Sequence, residues 1–156
     1  MTTSLICPAD HALLSQAGAE GMRCTACGRV YPIEDGVVRL LGDADAFYEG
    51  AYLNQVAYVP KSERFWDALP LWLLVNGYPW MVRRHVPEGA SVVELGCASG
   101  VSYFARRYRM IGCDLSHGSL RALPYQQKVQ CDAGKCLPIP DVSVDAVVSS
   151  YFWEHI

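Results

Sequence analysis

Two groups of residues have types and spacings that could do chemistry. The first is Cys7, followed by Cys24 and Cys27 as a C-x-x-C pair with Gly28 behind it. Sulfurs presented on two chain turns can wrap a tetrahedral cation such as zinc, and three of them call for one more ligand. His11 is carried as that fourth ligand, and Asp10 is the alternative, since an imidazole nitrogen or a carboxylate oxygen can bind the same ion. No open position is needed, so the expected role is structural. The second group is a row of acids. In "VVELGCASG", residues 92–100, an apolar run stops at Glu94 and breaks into a turn containing Gly96 and Gly100. Asp114 closes "MIGCD" 20 residues later, the offset at which a carboxylate meets a ribose diol, and Asp132 closes "VQCD". Three successive acids at strand ends are far more specific than a lone glycine turn.

These acids need strands to carry them. "SVVELGC", "MIGCDLS", "VQCDA" and "VDAVVSSYF" read as strands, with a helix over "SGVSYFARRYR" and a broken helix over "HGSLRALPYQQ". Valine-rich strands without alternation imply burial on both faces, hence a parallel sheet. The expected fold is α/β: a Rossmann-like doubly wound sheet, about four strands of it visible, preceded by a small β-rich ribbon and short helices. The expected segments are a ribbon over 1–42, an aromatic helical lid or linker over 43–85, and a ligand-binding domain over 86–156. Within the ribbon, Glu34-Asp35-Gly36 separates two apolar pieces as a hairpin does. Phe47, Tyr48, Phe65, Trp66, Trp72 and Trp80 crowd the middle segment, where Pro60, Pro70 and Pro79 break it into short helices.

With 156 residues, 51% of them hydrophobic, and a net charge of −3, the chain can bury a core but has no general attraction for phosphate backbones. Arg106, Arg107 and Arg109 read as a solvated helix end. No apolar run approaches the roughly 20 residues that cross a bilayer, and the N-terminus lacks a signal pattern. Seven cysteines, several in buried strands, fit reduced thiols, so the expected location is the cytoplasm.

The motifs "ELGCASG", "GCDLS" and "CDAGKCLPIPDVSVDAVVSSYFWEHI" resemble the class I S-adenosylmethionine-dependent methyltransferases of the type 11 kind, over about residues 85–156. The resemblance implies that Glu94 supports the turn and the methionine end of the cofactor, with Gly96, Ala98 and Gly100 along it. Asp114 would take the ribose hydroxyls and Leu115 the adenine face. Asp132 would accept from the adenine amino group beside Ala133, and Ser149, Ser150 and Tyr151 would border the transfer site. Ala98 replaces a frequent glycine. Glu154-His155 looks like an acid–base pair, but in the resembling family this stretch begins a helix, so no catalytic residue is assigned. The front segment resembles the short zinc-ribbon proteins that activate RNA and protein methyltransferases.

The expected cofactors are therefore S-adenosylmethionine and zinc. The expected activity is methyl transfer to an unidentified acceptor, with a small molecule slightly favoured over RNA. A non-catalytic module that docks on a partner enzyme is the alternative, and a nicotinamide dehydrogenase is disfavoured by Glu94. The resembling fold has seven strands, so a chain with four is expected to be a truncated stretch of a longer protein, with a half-domain that pairs with another chain or a degenerate remnant as the alternatives. Made alone, it is expected to be aggregation-prone or oligomeric.

Overall fold

The computed structural model describes residues 3–18, 21–41, 77–98, 100–150 and 152–153. The aromatic stretch 43–76, with its expected helices, lies outside the described residues, as do Tyr151, Glu154 and His155. Strands β1 (Leu14–Gln16), β2 (Gly21–Cys24), β3 (Val30–Glu34) and β4 (Val37–Arg39) form the front ribbon. They are followed by a helical stretch over 77–85, β5 (Ser91–Leu95), helix α1 (Ser102–Arg107), β6 (Arg109–Asp114), helix α2 (His117–Arg121), β7 (Gln127–Gln130) and β8 (Ala146–Ser149).

The hairpin falls where Asp35-Gly36 places it. Glu34 pairs with Val37, and both turn residues have positive φ, 51° and 74°, the geometry that matches strand twist in a two-residue turn. Helix α1 stops two residues earlier than its sequence suggests. Tyr108 adopts an extended conformation (φ −125°, ψ 160°) and is buried, so Arg109 becomes the first residue of β6 instead of the last of the helix. Arg106 and Arg109 are exposed, whereas Arg107 is half-buried: Arg107 pairs with Glu88 at 2.9 Å, and Arg109 donates to Ser91 Oγ at 3.0 Å.

All eight strands belong to one sheet, in the order β1-β2-β3-β4-β7-β6-β5-β8. The segment β7-β6-β5-β8 is parallel and carries the Rossmann-like order, with the reversal between β5 and β8. β4 pairs in parallel with β7, Val38 opposite Val129, and this extends the sheet by the four ribbon strands.

Alternation along the strands divides the core in two. Val93, Leu95, Ile111, Cys113 and Val129 face the ribbon's Leu5, Leu14, Tyr31 and Leu40. Val92 and Met110 face Val82, Phe104, Leu120 and Leu123 of the helical layer. Phe104 is fully buried there, edge-on to Tyr78 with ring centroids 5.3 Å apart. A ribbon too small to bury a core alone thus shares that of the larger sheet. No helix among the described residues is long and apolar enough to cross a membrane.

Candidate functional site

The carboxyl ends of β5, β6 and β7 deliver the three acids to one edge, but into different surroundings. Glu94 is 3% exposed. Tyr78 Oη donates to its Oε1 at 3.3 Å, and Tyr125 Oη donates to its Oε2 in a short hydrogen bond. The same Tyr125 oxygen accepts the Val101 N–H at 2.8 Å, so Glu94 is tied to the start of α1. Burial pushes the Glu94 carboxyl above its ordinary range, against the opposing pull of the two tyrosines, and Asp114 adds to the rise. Burial followed by the Glu94 charge pushes both tyrosine hydroxyls up in turn. Neither tyrosine was recognisable as a partner from the sequence, since Tyr125 falls in a stretch that reads as broken helix.

Asp114, 8% exposed, is held by the two turns beside it. Its Oδ2 accepts the Ala98 N–H at 2.8 Å and its Oδ1 the Ser116 N–H at 2.8 Å. Ser116 in turn caps α2 by accepting the Ser119 N–H at 3.1 Å. Asp132 sits in the turn after β7, where its Oδ1 accepts the Gly134 N–H at 3.2 Å and its Oδ2 pairs with Lys135 at 2.8 Å. Leu115 follows Asp114, Ala133 packs at the margin of the ribbon-side core, and Ser149 ends β8 opposite Leu95 across the reversal point.

The glycines of the turn are crowded by the protein's own side chains. Gly96, Ala98 and Gly100 all have positive φ: 60°, 42° and 66°. A Cβ on Gly100 would lie 2.4 Å from Leu123 Cδ2 and 3.1 Å from Tyr125. A Cβ on Gly96 would lie 2.8 Å from Phe152 Cδ2. The protein's own side chains fill both spaces, Leu123 and Tyr125 beside Gly100 and Phe152 beside Gly96.

The ribbon cluster is convergent. One ligand atom from each of Cys7, Asp10, Cys24 and Cys27 lies within 4.8 Å of all the others. His11, expected as the fourth ligand, is not among them. The turn that closes with His11 N–H on Cys7 O at 2.9 Å leaves His11 at φ 60°, and its Nε2 lies 4.0 Å from Cys136 Sγ. Asp10 instead brings both carboxylate oxygens to 3.3 Å from Cys24 Sγ. The Cys7 and Cys27 sulfurs are 3.9 Å apart. Tetrahedral bonds of about 2.3 Å to zinc place sulfurs roughly 3.8 Å apart, so the donor set fits that ion.

The backbone N–H groups of Ala26 and Cys27 both point at Cys24 Sγ at 3.4 Å. Tyr31 Oη lies 3.1 Å from Cys7 Sγ. Burial alone would raise the Cys7 thiol, but Tyr31 and the N–H groups of Ala9 and Asp10 bring it below its ordinary value. The Cys27 thiol is drawn down by the Arg29 N–H, yet Asp10 and Cys24 push it up to about 11. Such crowding of sulfur and carboxylate is what a dication relieves, by favouring thiolate at every sulfur.

Residues 93–156 match the family model of a methyltransferase domain, and residues 2–36 match that of the Trm112p-like protein. The chain thus carries a stretch similar to a methyltransferase domain behind a stretch similar to the Trm112p-like ribbon. No curated protein matches the chain. The methyltransferase match begins inside β5 and takes in all three acids; the Trm112p-like match takes in the whole cysteine cluster and ends at Gly36. The methyltransferase family implies S-adenosylmethionine as cofactor and methyl transfer as the general activity.

Proposed function

We propose that this chain binds S-adenosylmethionine along the β5–β6–β7 edge and directs its methyl group to a small-molecule acceptor. The observation that carries the reading is Asp114, oriented by the N–H groups of Ala98 and Ser116 at the end of β6, the strand beside β5. Asp114 would accept from the ribose hydroxyls, Leu115 and Ala133 would flank the adenine, and Asp132 would accept from its amino group. The turn through Gly96, Ala98 and Gly100 would follow the methionine end, and Ser149 would border the transfer site. Glu94 supports the turn through Tyr125 and Val101 instead of meeting the ligand. Phe152 must swing away from Gly96 for the methionine end to enter.

Bound S-adenosylmethionine supplies an electrophilic methyl group on a sulfonium. The protein's share is alignment and exclusion of water, so no general base is assigned. In the ribbon, Cys7, Asp10, Cys24 and Cys27 would hold zinc in a structural role. Sequence segments 1–42, 43–85 and 86–156 stand as the proposed division of labour, and the buried thiols of Cys97, Cys113 and Cys131 suit the cytoplasm.

A second reading rests on the Trm112p-like match: a ribbon module that docks on a separate methyltransferase. Equilibrium dialysis with labelled S-adenosylmethionine separates the two. Saturable binding displaced by S-adenosylhomocysteine but not by NAD supports the first reading. Displacement by NAD alone, or no binding by the folded chain, overturns it.

A further inference from the structure

Gln130 is a fully buried polar side chain at the end of β7, directly across the β6–β7 pair from Asp114. Its amide joins two regions. Oε1 accepts from Arg39 Nε of the ribbon at 3.0 Å, and Nε2 donates to the carbonyl of Leu115 at 2.9 Å. Arg39 is donor-only, so it fixes the amide with oxygen toward the ribbon and nitrogen toward Leu115. The backbone follows the same route: Leu40 N–H donates to Gln130 O at 3.0 Å, and Cys131 N–H donates to Asp114 O at 3.0 Å. Arg39 is itself held by Glu34, from the other strand of the hairpin.

We infer that Gln130 is a positioning residue for the nucleoside end of the cofactor, oriented from behind by Arg39 of the ribbon. The inference rests on the proposed reading of Asp114 and Leu115 as nucleoside contacts. The Leu115 carbonyl belongs to the short loop between the Asp114 carboxylate and the Ser116 N–H that it accepts. Without the Gln130 amide that carbonyl loses its donor, and a loop free to rotate carries the carboxylate off the ribose. The ribbon thereby acts on ligand binding without touching the ligand.

The test uses the full chain, with titrations of adenosine and of S-adenosylhomocysteine into wild type, Gln130→Met, Arg39→Met and Asp114→Ala. Gln130→Met is expected to weaken both ligands by the same factor, about tenfold, because the loss lies at the shared nucleoside end. Arg39→Met should weaken both about threefold, with ribbon metal content unchanged. Combined with Asp114→Ala, Gln130→Met should add nothing, since both act through one group. Wild-type affinity in Gln130→Met, where Asp114→Ala has lost it, overturns the positioning role and leaves the proposed function standing. Fully additive losses in the double variant also overturn it. If Gln130→Met does not fold, unchanged affinity in Arg39→Met overturns the ribbon's part. No binding by folded wild type removes the inference together with the reading beneath it.

Discussion

The ribbon cluster and the carboxylate rim are both collections of acids and thiols, yet the fold treats them in opposite ways. In the ribbon, Asp10 and three cysteines converge within 4.8 Å, and their mutual hydrogen bonds are compromises among groups that would all repel if ionised. Along the rim, Glu94, Asp114 and Asp132 are spread over three strand ends, and each has its own partners: two tyrosines, two backbone amides, and a turn with a lysine. Convergence is the arrangement that a cation stabilises. Dispersal with preset orientation would let Asp114 and Asp132 meet separate donors on one ligand while Glu94 braces the turn.

The contrast breaks first, and most heavily, if metal is withdrawn. Chelation, or Cys24→Ala, is expected to lower the melting midpoint by about 15 °C or more, since a structural zinc contributes many kcal/mol to folding. The core shared by Leu5, Cys7, Val93 and Ile111 means that the parallel sheet should melt with the ribbon in one transition. Two separate transitions by circular dichroism would contradict a common core.

On the rim, the heaviest single loss is expected from Tyr125→Phe. It strips a donor from the buried Glu94 and an acceptor from the Val101 N–H, at a cost of about 3 kcal/mol measured by denaturant unfolding. Glu94 also gives a pH signature. Its carboxyl is raised above the ordinary 4.5, so the native state holds that proton more tightly than the unfolded chain. Its contribution to stability is full below the ordinary value and is lost as pH rises through the raised one. Thermal melts between about pH 5 and 8 should therefore decline less steeply in Glu94→Gln than in wild type. Equal slopes would remove Glu94 as the source.

A smaller effect is expected at Ala98, whose φ of 42° strains any residue with a Cβ. Ala98→Gly should stabilise the fold by about 1 kcal/mol while keeping the N–H to Asp114. The smallest concerns Phe152 over Gly96. Phe152→Ala should tighten S-adenosylhomocysteine binding about threefold, because a closed fraction of the population is released. Weaker binding would instead make Phe152 part of the site.

How much of this was legible in the sequence depended on how local the deciding contact is. The hairpin at Asp35-Gly36 and the four parallel strands follow from turn chemistry and apolar runs, both local signals. The joining of β4 to β7 does not, because it brings together Arg39 and Gln130, 91 positions apart. A trace of it was present: Val37 and Val38 are consecutive and both buried, which a ribbon with one wet face does not require. The choice of Asp10 over His11 follows a spacing present in the sequence, since Asp10 stands three residues after Cys7 as Cys27 stands three after Cys24. Tyr78 and Tyr125 were hidden, since a lone tyrosine does not announce which distant acid it will meet.

The central claim, that the dispersed rim is a nucleoside-recognition edge, is tested most directly by calorimetric titration of the metal-loaded chain with S-adenosylhomocysteine beside Asp114→Ala. The account predicts micromolar binding that the variant loses by at least about tenfold with its melting curve retained. Equal binding in the two proteins, or no heat from the folded wild type, would contradict it.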